Sequence, residues 1–403
     1  MAQIALRRRP RGNRPVAAGD KFGSQPPLTM GVECELHAVD KITGIPTCCD
    51  VVLDAWESDY SLCQEFHVSL LEVRTAPHRS IEAVRDELSR LLSRLLGLGD
   101  ALGIDFLASG THPFSRGYSQ LVRADERYTS LLKSNPAMAF CPIASLHLHV
   151  SVPDFETALY IQNAMRFFLP HFVALASNSP FFDSVFNNSK SERLRVLRSW
   201  SPLVACPPTF ESPASFLHHL ERLRAARVIH EFKDWWSLVR CRPDLGTVEL
   251  RVMDMPSSLD DVIAIAACFQ SLVATLLNRR WDLHSLLNRH DSTLCIDSYL
   301  DTNVHNAATF GLEADLVALP FALDVQPARV VIERMMAFIG RAADQLHTVG
   351  ELSDLHDIVL HGSGADFQIA ALRRHQCFAE VVADVVARFR NSCIVRGARG
   401  MAS

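Results

Sequence analysis

Met30-Gly31-Val32-Glu33-Cys34-Glu35-Leu36-His37 holds two carboxylates two residues apart in a segment where polar and apolar side chains alternate. Alternation with period two predicts a β-strand, with Glu33 and Glu35 on one face and Val32, Cys34 and Leu36 on the other. Alone, such a pair is ordinary solvent-facing alternation on a half-buried strand. Three further stretches change that reading. Residues 69–75 (around Glu72 and Arg74), 145–152 (around His147 and His149) and 246–254 (around Glu249, Arg251 and Asp254) each space charged or imidazole groups at i, i+2 between apolar residues. Four strands of one pattern predict one sheet with one polar face. That face gathers Glu33, Glu35, Glu72, His149 and Glu249, with Arg74, His147, Arg251 and Asp254 beside them.

Carboxylates converging without cations repel one another and rise in pKa. Hard divalent ions such as Mg²⁺ or Mn²⁺ take carboxylate oxygens and tolerate an imidazole, so a metal and a polyphosphate would balance this face. The His147/His149 pair also admits a zinc hydrolase, but no HExxH helix or CxxC pair accompanies it. The chain has no GxxxxGK[ST] or GxGxxG phosphate loop and no GxSxG nucleophile elbow.

The 403 residues, 48% hydrophobic and 21% charged, can bury a substantial core. A net charge of −5 gives no general attraction to nucleic acid or an anionic membrane. Eleven cysteines without CxxC spacing, two of them adjacent as Cys48-Cys49, point to reduced thiols in a cytoplasmic protein, with Cys34, Cys141 and Cys268 in the core. The most apolar run, 262–277, is short for a membrane span and contains Gln270, so it is expected to be a buried helix.

Along the chain, residues 1–27 carry Arg7-Arg8-Arg9 with Gly and Pro and little periodicity, which predicts a disordered basic tail. Asp40 to Pro46 reads as a hairpin turn. Ser80 is placed to cap a helix over 81–102, on which Leu88, Leu91, Leu92, Leu95 and Leu96 recur at helical spacing. Residues 106–110 read as a short buried strand, and Asp154 should cap a helix over 155–177 broken near Pro170. The stretch 182–208 reads as irregular and polar, a candidate substrate loop. Helices are expected over 213–226, 259–281, 328–346 and 365–388. The division that follows is a tail over 1–27, one catalytic domain over 28–392 and a C-terminal tail over 393–403.

In order and spacing the chain resembles the type 2 glutamate–cysteine ligase family, the carboxylate–amine ligases. The resemblance rests on Gly31-Val32-Glu33-Cys34-Glu35-Leu36, Leu71-Glu72-Val73-Arg74-Thr75, Ser109-Gly110-Thr111-His112-Pro113-Phe114, His147-Leu148-His149-Val150, Ser177-Asn178-Ser179-Pro180-Phe181, Trp235-Trp236 and 246–254. It implies an α+β fold: a curved antiparallel sheet of about six strands forming a glutamine-synthetase-like active-site face, backed by helices. It also implies ATP-dependent joining of a carboxylic acid to an amine through an acyl phosphate, with glutamate and cysteine as default substrates and ATP and Mg²⁺ (or Mn²⁺) as cofactors. By this likeness Glu33, Glu35, Glu72, His149 and Glu249 would hold metal, and Arg251 and Glu249 would be catalytic. Arg251, Arg74, His147 and Asp254 would meet phosphate, and Thr75, His112, Arg193, Trp236 and Arg240 the substrates.

The family's Asp-Thr-Gly after the Ser-Pro-Phe turn is replaced near Asn187-Asn188-Ser189, and Arg residues expected near 303–311 are missing. Specificity for glutamate and cysteine is therefore open. The expected partners are a small-molecule carboxylate and amine, with no nucleic acid and no membrane, in a chain that could pair as a homodimer. The alternative function is a regulatory paralogue that binds metal and nucleotide without ligation.

Overall fold

A computed structural model describes residues 20–57, 59–115, 121–134, 136–140, 142–201, 203–229, 231–279 and 296–394. The expected core position of Cys141 and most of both expected tails lie outside them. The chain is α+β, organised on one antiparallel sheet. Its strands are β1 (Met30–Asp40), β2 (Leu62–Gln64), β3 (Leu70–Arg74), β4 (Ile104–Leu107), β5 (Ser145–Ser151), β8 (Val239–Arg242) and β9 (Thr247–Asp254). The spatial order is β2-β3-β1-β5-β9-β8, with β4 pairing the far half of β1. Two hairpins stand apart, β6 (Phe181–Phe182) with β7 (Val185–Phe186), and β10 (Asp315–Val317) with β11 (Val325–Pro327).

Register turns the alternation into a face. Across β1 and β3, Glu33 sits opposite Arg74 and Glu35 opposite Glu72. Across β1 and β5, Glu33 sits opposite His147; across β5 and β9, His149 faces Glu249, which in turn faces Arg240 on β8. Directly opposed residues share a face, so all of these side chains project to one side. Val32, Cys34, Leu36, Val73, Leu148, Val150, Val248 and Leu250 project to the other and are fully buried.

Helices cover that apolar face. Ile81–Leu102 begins where the Ser80 side chain accepts from the Ala83 amide and ends at Gly103 in the left-handed region. Its buried stripe includes Leu88, Leu91, Leu92, Leu95 and Leu96, the residues whose spacing predicted it. Phe155–Met165 is capped by Asp154 and gives way to Leu169–Ala176, with Pro170 in the first turn, where a missing N–H costs nothing. Leu259–Asn278 is long and apolar enough to cross a membrane, yet 89% of its apolar window is buried inside the protein, as a core helix requires.

Four local expectations need correction. The stretch 182–208 is not wholly irregular, because Ser191 caps a helix over Glu192–Trp200. The helix expected over 365–388 is two, Gly364–His375 and Phe378–Ile394, separated by Gln376 in the left-handed region at φ 55. The second carries Cys393 into the core beyond the expected boundary at 392. Residues 20–27, expected in the tail, run along the sheet: the amides of Lys21 and Gly23 donate to the carbonyls of Pro243 and Val152, and Phe22 packs on Phe155 with ring centroids 5.1 Å apart. Cys34 and Cys268 are fully buried, and the nine cysteines among the described residues are free thiols.

Candidate active site

At the centre of the polar face stands His147. Its Nδ1 lies 3.2 Å from Glu33 Oε2, and because a carboxylate only accepts, that nitrogen carries the proton. The Nε2 lone pair is buried and has no hydrogen-bond partner. Burial, then Arg251, drives the His147 pKa down to about 4, so the ring is neutral near pH 7. His149 sits one pleat along, with Nδ1 3.1 Å from Thr247 Oγ1 and Nε2 3.4 Å from Glu33 Oε1 and 3.8 Å from Glu249 Oε1.

The carboxylates divide into two environments. Burial works against ionised Glu249, but Arg240, Arg251, His149 and Arg242 outweigh it and hold its pKa well below the usual range. Arg240 Nε donates to its Oε2 at 2.6 Å, Arg242 Nη1 does so at 3.2 Å, and Arg251 donates to Oε1. Glu33 is likewise held low against burial by its two imidazoles. Glu35 and Glu72 are the reverse. Burial and the neighbouring Glu65 push Glu35 up to about 8, despite an Oε2 that accepts from the Ser145 amide at 2.7 Å. Burial, Glu33 and Glu65 push Glu72 well up, against Arg74 3.5 Å away.

Among the described residues, ligand atoms within 4.8 Å of one another form two donor sets, Glu33–His147–Glu249 and Glu35–Glu72–His147. Carboxylates crowded until their protons are held, together with a neutral imidazole whose lone pair is unused, fit a divalent cation. His147, assigned to phosphate from the sequence, belongs to both sets. His149, assigned to metal, lies against Glu33 and Glu249 without joining either set.

Other predicted site residues are committed elsewhere. The Thr75 hydroxyl accepts from the Val32 amide at 3.1 Å, within the β1–β3 ladder. His112 bonds the Gly44 carbonyl through Nε2 and accepts from the Ser115 amide through Nδ1, so it fastens a loop to the β1 turn. Asp254 accepts from the Asn178 amide and from the Ser179 and Ser191 hydroxyls, all within 2.9 Å. Arg193 is 1% exposed and bonded within the protein. Trp236 packs at 6.2 Å from Trp200. Arg240 and Arg74 do reach the acidic face, through Glu249 and Glu72.

Glu65 was missed from sequence. It follows a three-residue edge strand too short to show alternation, yet its charge bears on both Glu35 and Glu72. A cavity of about 370 Å³ bounded by Asp261, Asp354, His361, Asp366 and Arg388 lies among the helices and contains none of the predicted site residues.

The family described as glutamate-cysteine ligase family 2 matches residues 29–387. The chain is 30% identical over 367 residues to a putative glutamate–cysteine ligase 2 of Roseiflexus castenholzii, covering 89% of this chain and 94% of that one. It is 32% identical over 368 residues to a putative glutamate–cysteine ligase 2-3 of Rubrobacter xylanophilus, covering 90% and 97%. The fold is similar to a glutamate–cysteine ligase of Francisella tularensis solved in complex with AMP, at TM-score 0.66 and 14% identity over 90% of this chain and 88% of that one. It is also similar to a bifunctional glutathione synthetase of Pasteurella multocida, at TM-score 0.63 and 14% identity over 92% of this chain and 53% of that one.

Proposed function

The chain belongs to glutamate–cysteine ligase family 2, the carboxylate–amine ligases, and from that premise we propose that it uses ATP to join a carboxylic acid to an amine through an acyl phosphate. The observation that carries the reading is the pair of donor sets meeting at His147. In this reaction the substrate carboxylate attacks the γ-phosphorus, ADP leaves, and the amine displaces phosphate from the acyl phosphate. No protein nucleophile is needed, in keeping with the lack of a nucleophile motif.

The work of the chain is positioning and charge. Glu33, Glu35, Glu72, Glu249 and His147 would hold Mg²⁺ or Mn²⁺, with His149 and Glu65 at the margins. A bound cation would neutralise phosphate oxygens as they take up charge. Arg251, beside Glu249, offers a guanidinium to the transferred group, and Arg74 offers a second, 35% exposed, from β3. Glutamate and cysteine are the first substrates to test, and a related amino acid or amine follows from the altered residues Asn187-Asn188-Ser189. The free thiols among the described residues are what favours a reducing, cytoplasmic setting for an enzyme acting on small molecules.

The test is phosphate release from ATP and Mg²⁺ with pools of carboxylates and amines, followed by the mass of the product. Turnover above a Glu249→Gln control is expected. Tight Mg²⁺-ATP binding by calorimetry with no product from any pool would replace this reading with the non-catalytic, regulatory one.

A further inference from the structure

Resting on the ligase reading above, we propose that Arg193 is a positioning residue that holds Arg251 and Glu35 in their working arrangement, and that it does not contact substrate. Its guanidinium bridges two strands. Nε donates to the Ser145 hydroxyl on β5 at 2.8 Å, and Nη2 donates to the same hydroxyl. Nη2 also donates to the Arg251 carbonyl at 3.2 Å, and Nη1 to the Val252 carbonyl at 3.3 Å, both on β9. With the side chain only 1% exposed and these four bonds made, little of the fork is left for a ligand.

The two carbonyls need this donor because the ladder slips at that point. Leu148 pairs with Leu250 but Leu146 pairs with Met253, so β9 carries one residue more than β5 between those rungs. A bulge leaves backbone groups unpaired and re-aims the side chain it carries, here Arg251. The second strand end matters equally. The amide of Ser145, whose hydroxyl Arg193 holds, donates to Glu35 Oε2 at 2.7 Å. One guanidinium thus fixes the backbone beneath the phosphoryl-facing Arg251 and the donor that orients Glu35.

Arg193 is itself anchored. Its amide donates to Ser179 Oγ at 3.0 Å, Ser179 donates to Asp254 Oδ2 at 2.6 Å, and Ser191 donates to Asp254 Oδ1 at 2.7 Å. The start of the Glu192–Trp200 helix is therefore clamped to the end of β9. A lysine would keep the charge but present a point donor where a planar fork spans two strands.

The test compares Arg193→Met, Arg193→Lys and Ser145→Ala with the wild type. Each is checked for fold by circular dichroism, titrated with Mn²⁺ in the absence of substrates, and assayed for kcat and KM. For Arg193→Met we expect at least tenfold weaker Mn²⁺ binding and a kcat at least 100-fold lower, with KM for carboxylate and amine within threefold of wild type. Arg193→Lys should fall between the two. A KM raised tenfold or more with kcat and Mn²⁺ affinity unchanged would make Arg193 a substrate contact and overturn the proposal, as would wild-type behaviour throughout. If Arg193→Met does not fold, Ser145→Ala decides: it removes the shared acceptor yet keeps the amide on Glu35, so Mn²⁺ binding should weaken at least fivefold, and wild-type affinity overturns the proposal. Mn²⁺ binding is read without ligation. A wild type that makes no product would sink the ligase reading and leave this result standing.

Discussion

His147 donates through Nδ1 to Glu33 across the β1–β5 ladder and keeps its Nε2 buried with no hydrogen-bond partner. An unpaired buried nitrogen costs about 1–3 kcal/mol, a penalty retained where the group has other work. His147→Leu should therefore weaken Mn²⁺ binding at least tenfold by calorimetry. The melting temperature in EDTA should stay level or rise. Unchanged Mn²⁺ affinity would remove His147 from both donor sets.

Glu35 exposes the conflict between site and fold. With its pKa raised to about 8, the folded protein holds a proton that the unfolded chain releases near 4.5, so stability falls as pH rises from about 4.5 to 8. Glu35→Gln keeps an oxygen for the Ser145 amide and removes the charge. In EDTA at pH 8 it should be more stable by about 1–3 kcal/mol, a gain that vanishes below pH 4.5. Ligation should be lost. Urea titrations at pH 4 and 8 check the first claim and phosphate release the second.

The face was legible because strand alternation is strict: once Glu33 and Glu35 share a side, register carries Glu72, His147 and Glu249 to it. The helix over 81–102 was legible from Ser80 and its leucines. What failed did so for physical reasons. Strict alternation from Glu249 would put Asp254 on the apolar side; the bulge in β9 brings it back level with Ser145, where its oxygens are taken up by the Asn178 amide and the Ser179 and Ser191 hydroxyls. Glu192 and Arg193 start a helix but are buried, against the expectation that charged residues face solvent. Gln376 takes a left-handed conformation with no Gly or Pro to mark it. Nothing in a linear pattern tells whether the hydroxyl of Thr75 or the ring of His112 faces a ligand or a backbone amide.

Gly246 tests whether residues 20–27 belong to the fold. It turns the β8–β9 hairpin at φ +73, and a Cβ there would lie 2.3 Å from the Lys21 carbonyl oxygen. Gly246→Ala therefore meets both backbone strain and a clash with the N-terminal segment, at a cost of about 2–3 kcal/mol. Protease cleavage before Phe22 should accelerate in this variant. A urea midpoint equal to wild type would mean that the segment does not press on the hairpin.

Acid stability should be set in part by histidines outside the site. Burial lowers His67 and His112 to about 4 and His171 to about 3, so each stays neutral in the folded protein well below the usual 6.5. The sign follows from proton counts: above pH 6.5 neither state is protonated and the groups have no effect. Between 6.5 and about 4 the unfolded chain takes up protons that the folded chain refuses, so stability falls as pH falls. Glu35 changes stability in the opposite direction over part of that range, so the clean measurement is a difference. His171 lies fully buried on Leu169–Ala176, against Phe168. The unfolding free energy of His171→Leu relative to wild type should be constant above pH 6.5 and rise by about 1.4 kcal/mol per pH unit between pH 6 and 4. Urea titrations of both proteins at half-unit steps measure it, and a difference that stays flat below pH 6 would show that His171 is not held neutral by the core.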